Sequence, residues 1–380
     1  MLTEKFPDTS KVRLPGTDRA CDPAATLAMT RRAARQVGVT RVADITRLDT
    51  VGIPTFQAIR PASRTLAVSQ GKGVTPELAR LSAVMESIEL WHAEQDLPPA
   101  VTAPPREVAA RLGYDVRALV PAEPSLLHDG LPLDWLEATS LADGSPTLVP
   151  RDVVALTLGG GTGWSPPLFF ASSNGLAGGN TRTEATLHAL YEVIERDAVT
   201  AAVTGRPTGG VRVDPGTSGS PVVAGLCAAL ARARVRLEVR HLPSPTGLPC
   251  FLARITCDDY PPAFFGFGCH LSSEIALTRA ITESAQARLA YVSGARDDLR
   301  ADFHDGVPRP SRPGPPPELA GPVPVLRAHG TLAEDLEDAV RRAAAAFGHP
   351  PLVVDLTRED VGVPVVKVVA PGARVCPEVM

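Results

Sequence analysis

The chain has 380 residues with 38 basic and 42 acidic side chains, a formal net charge of −4. Acids and bases are interspersed without a basic run, which argues against nucleic acid as the main partner, because phosphate contacts need a clustered positive surface. No apolar run reaches membrane-spanning length and the opening MLTEKFPDTS lacks the apolar core of a signal peptide, so a cytoplasmic protein without a membrane role is expected.

Residues 23–37 read as a first helix, with Asp22 as its cap and Pro23 at its first position. After Leu48-Asp49-Thr50-Val51-Gly52-Ile53-Pro54 come TFQAIRP and SRTLAVS, two β-rich runs that read as paired strands. Ser69-Gln70-Gly71-Lys72-Gly73 then reads as a loop. Its lysine lies between glycines, but the spacing is not G-x-x-x-x-G-K-[ST], so a P-loop is excluded. The loop leads into a helix over 76–94. At about 100° per residue, Ser82, Glu86 and Glu89 lie within about 60° of one another, beside an apolar stripe of Leu78, Leu81 and Met85.

The stretch 98–150 carries less chemistry. Residues 106–112 suit a short surface helix, and LDWLEATSL and SPTLVP suit strands joined by an Ala142-Asp143-Gly144 turn. Gly159-Gly160-Gly161-Thr162-Gly163 reads as a loop. Residues 171–200, ASSNGLAGGNTRTEATLHALYEVIERDAVT, are richer. A Gly-rich turn from Asn174 to Asn180 precedes a long helix capped by Thr181 or Thr183. Glu184, His188, Glu192 and Glu195 fall within about 80°, next to Leu187, Leu190, Tyr191 and Ile194. Carboxylates held at a buried edge repel unless a positive charge sits between them, and a divalent cation is the simplest candidate.

Further on, 220–233 reads as a helix and VRLEVRHL, PCFLARITC and PAFFGFGC as strands, so the second half is expected to alternate strands and helices. A third carboxylate helix covers 273–293, preceded by Gly266-Phe267-Gly268 and closed by GARDDL; Arg279, Glu283 and Gln286 share one of its faces. Residues 307–324 are Pro-rich and suit a surface crossover without regular structure. An Ala-rich helix over 331–347 follows, and LVVDLT and VPVVKVV are apolar strands fit for a sheet covered on both faces. One E-x-x-E pair is ordinarily a solvated helix face. Its return on a second helix, with a third carboxylate-bearing helix after it, each behind a Gly-rich run, is what points to a site.

In this order the pieces resemble the YcaO family, whose members use ATP to activate backbone amides of ribosomally made peptides. The motifs are SQGKG with S-A-x-x-E-x-x-E, NGLAxGN-x-x-x-E with H-A-x-x-E-V-I-E-R-D-A, R-A-x-T-E-x-x-Q-x-R with GARDD, and the closing VDLT…VPVVKVVAPG. The resemblance implies a mixed α/β, YcaO-type fold, with strands and carboxylate-bearing helices around a Mg-ATP site. It also implies a single catalytic domain over 1–380, with the nucleotide site built from 69–94, 172–197 and 266–298. Glu86, Glu89, Glu192 and Glu195 would hold Mg²⁺ and, through it, the triphosphate of ATP, with Glu184 and Glu283 supporting. Lys72, Arg196 and Gln286 would lie near the phosphates, and Ser82 and Asn180 near the nucleotide. Arg19 and Thr26 match an N-terminal nucleotide-contacting pair. Oxygen ligands suit Mg²⁺, which agrees with the bare sequence.

Two departures matter. Leu90 stands where many members have Arg, followed by Trp91-His92-Ala93-Glu94, and the chain ends Cys376-Pro377-Glu378-Val379-Met380 without the Pro-rich tail of many azoline-forming members. No fused ThiF-like or leader-peptide-binding domain is expected. The SQGKG and WHAE wording is closer to members that work with a TfuA partner. The activity so implied is phosphorylation of a backbone amide oxygen in a precursor peptide, giving a thioamide with a TfuA-like protein and sulfide. An azoline-forming cyclodehydratase acting on Cys, Ser or Thr is the alternative, and a non-catalytic nucleotide-binding docking protein a second one. A homodimer is expected from the resemblance and the apolar C-terminal strands. This chemistry needs no enzymic thiol, so Cys21, Cys227, Cys250, Cys257, Cys269 and Cys376 read as free cytosolic thiols. His92 and His188 are the histidines expected nearest the site.

Overall fold

The computed structural model describes residues 10–156, 167–204, 210–259, 262–295 and 320–376. A hairpin of β1 (Val12–Leu14) and β2 (Thr17–Arg19), turned at Gly16, opens the described chain. Asp22 accepts a hydrogen bond from the Ala25 amide and starts α1 (Pro23–Gln36). β3 (Arg41–Asp44), β4 (Thr55–Ile59) and β5 (Val68–Lys72) form an antiparallel sheet in that order. Thr75 caps α2 (Pro76–Ala93) by accepting the Leu78 amide at 3.3 Å. β6 (Val101–Ala103), α3 (Pro105–Leu112), β7 (Leu133–Ser140) and β8 (Pro146–Pro150) follow.

β9 (Leu176–Gly178) runs into α4 (Arg182–Thr204). Thr181 Oγ1 accepts the Glu184 amide there, while Thr183 is buried, so Thr181 is the cap. β10 (Val211–Asp214), α5 (Pro221–Arg232), β11 (Arg236–Leu242), β12 (Cys250–Thr256) and β13 (Phe264–Cys269) precede α6 (Ser273–Ser293). β14 (Gly321–Pro322), α7 (Leu332–Phe347), β15 (Leu352–Asp355) and β16 (Val365–Val369) complete the described elements. Thr331 and Glu334 form a reciprocal capping box at the start of α7.

Two larger sheets carry the mixed α/β fold. One has the order β6-β7-β15-β16-β9, with β8 also against β7; the other runs β13-β12-β11-β10-β14. β16 shows why its apolar run fits: Val365 and Val369 pack into a core with Trp135, Leu148 and Ile88, and Val366 and Val368 into another with Leu190, Ile194 and Leu336. The sheet is covered on both faces there. A third core joins Leu226 and Leu230 of α5 and Leu277 and Ile281 of α6 to Phe251 and Ile255 of β12. Among the described residues, no helix is long and apolar enough to cross a membrane.

The structure corrects several expectations. Ser69–Lys72 is strand, not loop, and lies within β5. The Gly-rich run before α4 contains β9, which pairs with β16. β11, β12 and β13 form an antiparallel meander with no helix between them, so strands and helices do not alternate there. Within the stretch expected to lack regular structure, Gly321–Pro322 pairs in parallel with Val213 and Asp214. Residues 307–319 of that stretch, the glycine cluster at 159–163 and most of GARDDL lie outside the described residues.

Candidate active site

α2, α4 and α6 each lie against the edge strand that precedes them. In β5 and β13 this contact requires glycine. A Cβ on Gly71 would stand 2.0 Å from Ala83 N, and one on Gly268 2.0 Å from Ala276 O. Neither glycine has a positive φ, so close approach, not backbone freedom, is the reason for it. The edge amides turned away from each sheet then meet glutamates. Gln70 N donates to Glu86 Oε2 at 2.6 Å, Gly178 N to Glu89 Oε1 at 2.6 Å and Phe267 N to Glu283 Oε1 at 3.3 Å. The Glu89 bond crosses from α2 to β9 and so ties two sheets together. A backbone N–H that donates to a carboxyl oxygen fixes that oxygen, and with it the direction of the side chain.

These elements enclose a cavity of about 710 Å³, the size of a small-ligand site. All thirteen residues singled out in the sequence line it: Ser82, Glu86 and Glu89 from α2; Asn180, Glu184, Glu192, Glu195 and Arg196 from the α4 unit; Glu283 and Gln286 from α6; and Lys72, Arg19 and Thr26. Lys72 Nζ bonds Glu283 Oε2 at 2.6 Å, and Arg196 stands 3.8 Å from Glu195 with its guanidinium over the Phe267 ring. Arg19 Nε lies 3.7 Å from Glu184, which also accepts the Ala20 amide at 2.9 Å and the Asn180 amide group at 3.0 Å. Thr26 Oγ1 donates to Asn180 Oδ1 at 2.8 Å. The N-terminal pair is thereby joined to the start of α4.

Among the described lining residues, six carboxylates face four cations, Arg19, Lys72, Arg196 and Arg279. Burial first, and neighbouring charges second, set the titration of these acids. Burial pushes the Glu89 carboxyl up to about 8, with Glu86 and Glu192 adding to the rise against the Gly178 bond. Burial also raises Glu192 to about 7, opposed by Arg196 and abetted by Glu195. Glu195 moves up for the same first reason. Burial would raise Glu283 as well, but Lys72 and then Arg196 outweigh it and hold it below the ordinary range. Burial and the neighbouring Arg19 and Arg279 keep His188 well below its usual value, so the imidazole is neutral.

Several buried polar atoms at the cavity have no hydrogen-bond partner among the described residues: Gln70 Nε2, Glu195 Oε2, Arg196 Nε, Arg279 Nε and Gln286 Oε1. A cavity with excess acid, six carboxylates as its main potential metal ligands and orphaned donors and acceptors fits a hydrated divalent cation bound together with a polyanion.

Two residues here lie beyond the sequence-based site. Arg279 lines the cavity, and its signal in the sequence is the helix face it shares with Glu283 and Gln286. Lys367 of β16 is 3% exposed, donates to Ser172 O at 2.6 Å and acts electrostatically on Glu192. Its position within an apolar strand gave no hint. His188 lines the cavity, but His92 does not: it is buried, with Nδ1 on Ile88 O and its ring against Trp91.

The cavity and the three strand–helix units that build it define a mixed α/β fold with an acidic cavity. The family model described as YcaO cyclodehydratase, ATP- and Mg²⁺-binding, matches residues 70–374. The chain belongs to the YcaO family. An uncharacterized Mycobacterium tuberculosis protein is 40% identical over 370 residues, covering 94% of this chain and 82% of that protein. A protein of Rhizobium leguminosarum bv. trifolii, described by its place in the tfuA 3′ region, is 34% identical, covering 94% of this chain and 89% of its own. Among solved structures, YcaO from Methanopyrus kandleri bound with AMPPCP and Mg²⁺ matches with a TM-score of 0.72 and 26% identity, over 96% of this chain and 94% of that one.

Proposed function

We propose that the chain, as one catalytic domain, uses Mg-ATP to phosphorylate a backbone amide oxygen of a precursor peptide, giving a thioamide with sulfide and a TfuA-like partner. The observation that carries the nucleotide part is the convergence of six carboxylates and four cations from three helices, a strand and an N-terminal segment in one cavity. Such a site repels a bare triphosphate and accepts it with divalent cations. The family model and the Methanopyrus kandleri relative, bound with AMPPCP and Mg²⁺, support the same ligands here. The Rhizobium relative of the tfuA region supports the partner.

In this reading Glu86, Glu89, Glu192 and Glu195 hold Mg²⁺, whose charge offsets that between acid side chains and phosphates. Glu184 orients Arg19 and Asn180, and with Thr26 and Ser82 these hold the nucleotide. Glu283 aims Lys72, which with Arg196 and Gln286 neutralises charge on the transferred phosphoryl group. A nucleophile adds to the amide carbon and the carbonyl oxygen gains the electron pair. That oxygen forms a bond to the γ-phosphorus as the β–γ bridging bond breaks and ADP departs. Cleavage of the carbon–oxygen bond then releases phosphate. With external sulfide the product is a thioamide. With a neighbouring Cys, Ser or Thr it is an azoline, the alternative that the cyclodehydratase name of the family favours.

Mass spectrometry of a precursor peptide treated with Mg-ATP, sulfide and the TfuA-like protein tests the product. Exchange of oxygen for sulfur is expected; loss of one water without partner or sulfide would replace the thioamide with the azoline reading. Glu192→Gln is expected to lower ATP turnover by about 10²–10³ while the protein stays folded. Wild-type ATP affinity and rate in both Glu192→Gln and Glu86→Gln would remove the metal assignment. A homodimer is part of the proposal, and a stable monomer in light scattering would remove it.

A further inference from the structure

The β1–β2 hairpin forms one wall of the cavity through Leu14, Pro15, Gly16 and Thr17, and delivers Arg19 to Glu184. Strands of three residues on a single turn are marginal by themselves. Lys11, at the foot of β1, explains how the hairpin stays in place. Its ammonium donates to His329 O at 3.0 Å and to Asp335 Oδ2 at 2.5 Å, and lies 3.5 Å from Asp18 of β2. The Lys11 side chain is 1% exposed and that of Asp335 0%. Asp335 stands in the first turn of α7 and accepts the His329 amide through its other oxygen, at 2.8 Å. Asp18, His270 and Asp335 bring ligand atoms within 4.8 Å of one another, and the Lys11 ammonium already supplies the cation they face.

We propose that Lys11 is a positioning residue for the nucleotide: its buried ammonium clamps the hairpin to α7, so that Arg19 and the Glu184 carboxylate it faces are set in place before the ligand arrives. A buried charge pair of this kind is costly to break from one side. Without the clamp the hairpin spends part of its time undocked, and apparent affinity falls by the docked fraction. A hairpin docked about a tenth of the time gives about tenfold weaker binding.

The proposal rests on the nucleotide reading, and calorimetry with Mg·AMPPCP separates the two. In Lys11→Met the dissociation constant is expected to rise about tenfold, and the KM for ATP with it, while kcat at saturating Mg-ATP changes by less than about twofold. Lys11→Arg, which can reach the same carboxylates, is expected to restore most of the affinity. Should Lys11→Met fail to fold, the double variant Lys11→Met, Asp335→Asn removes both charges of the shorter, fully buried pair and leaves only the partly exposed Asp18 without its cation; it is expected to show the same loss of affinity. A folded variant of either kind with wild-type affinity would overturn the proposal, and so would a fall in kcat with KM unchanged. Wild-type protein that binds no Mg·AMPPCP would instead overturn the nucleotide reading, and this inference with it.

Discussion

Glu89 accepts the Gly178 amide at 2.6 Å, yet it is held out of water beside Glu86 and Glu192, and its pKa rises to about 8 from the ordinary 4.5. Between those values the folded protein keeps a proton that the unfolded chain has lost. The stability this group contributes is therefore complete below pH 4.5 and is lost as pH climbs through about 8. Glutamine keeps the acceptor oxygen without the charge. In the ligand-free protein Glu89→Gln is expected to raise the melting temperature relative to wild type by a few degrees at pH 9 and little at pH 5. It should also abolish the further rise given by Mg·AMPPCP. Melting curves with the same wild-type-to-variant difference at both pH values would refute this. The glutamates themselves were legible in the sequence because helical spacing puts them on one face. His92 was misjudged for a related reason: it stands near Glu86 and Glu89 in sequence but is turned by about 60° from Glu89 and about 120° from Glu86. Lys367 was not legible at all, because its partner Glu192 is on another element and periodicity names faces, not partners.

At the scale of elements, the same unit recurs: a glycine-bearing edge strand, then a helix lying on it, with a glutamate facing an edge amide, from the strand's own helix at β5 and β13 and from α2 at β9. The glycines were visible, but a glycine that opens a turn and one that admits a helix backbone have the same letter. Gly71 and Gly113 separate the cases. A Cβ on Gly71 would meet Ala83 N at 2.0 Å and Ala79 O at 2.2 Å, whereas Gly113 has φ +66° and nothing within 4 Å. Gly113→Ala carries only the left-handed backbone penalty of about 1–2 kcal/mol. Gly71→Ala forces α2 away from β5 and is expected to cost about 3 kcal/mol or more. It displaces Glu86 and Lys72 as well, so nucleotide affinity should fall in Gly71→Ala and hold in Gly113→Ala. Guanidinium midpoints that are equal for the two variants would show that the helix does not need the close approach.

Across the whole molecule, three sheets contribute edge strands to one acidic cavity, and α2 reaches from β5 of one to β9 of another. This convergence was only partly legible. The strand and helix faces follow from periodicity, but the order β6-β7-β15-β16-β9 interleaves the middle of the chain with its end, and no local pattern encodes that. The arrangement has a thermodynamic consequence. With no cation present, repulsion among the six carboxylates opposes the packing of the helices that carry them, and a triphosphate adds to it. Mg²⁺ held by these carboxylates would offset that repulsion and supply positive charge for the phosphates. Ligand that binds only the assembled cavity stabilises the fold by about 2.7 kcal/mol at a hundred times its dissociation constant. For a chain of 380 residues this amounts to about 3 °C in melting temperature. Mg·AMPPCP is expected to give that rise, and AMPPCP with EDTA none. Because the cavity draws on edge strands of these three sheets, the shift should appear alike in backbone circular dichroism and in tryptophan fluorescence, to which Trp91 and Trp135 of one core contribute. An equal rise from AMPPCP in EDTA would mean that the four cations bind the phosphates unaided, and that the carboxylates are not there to hold metal.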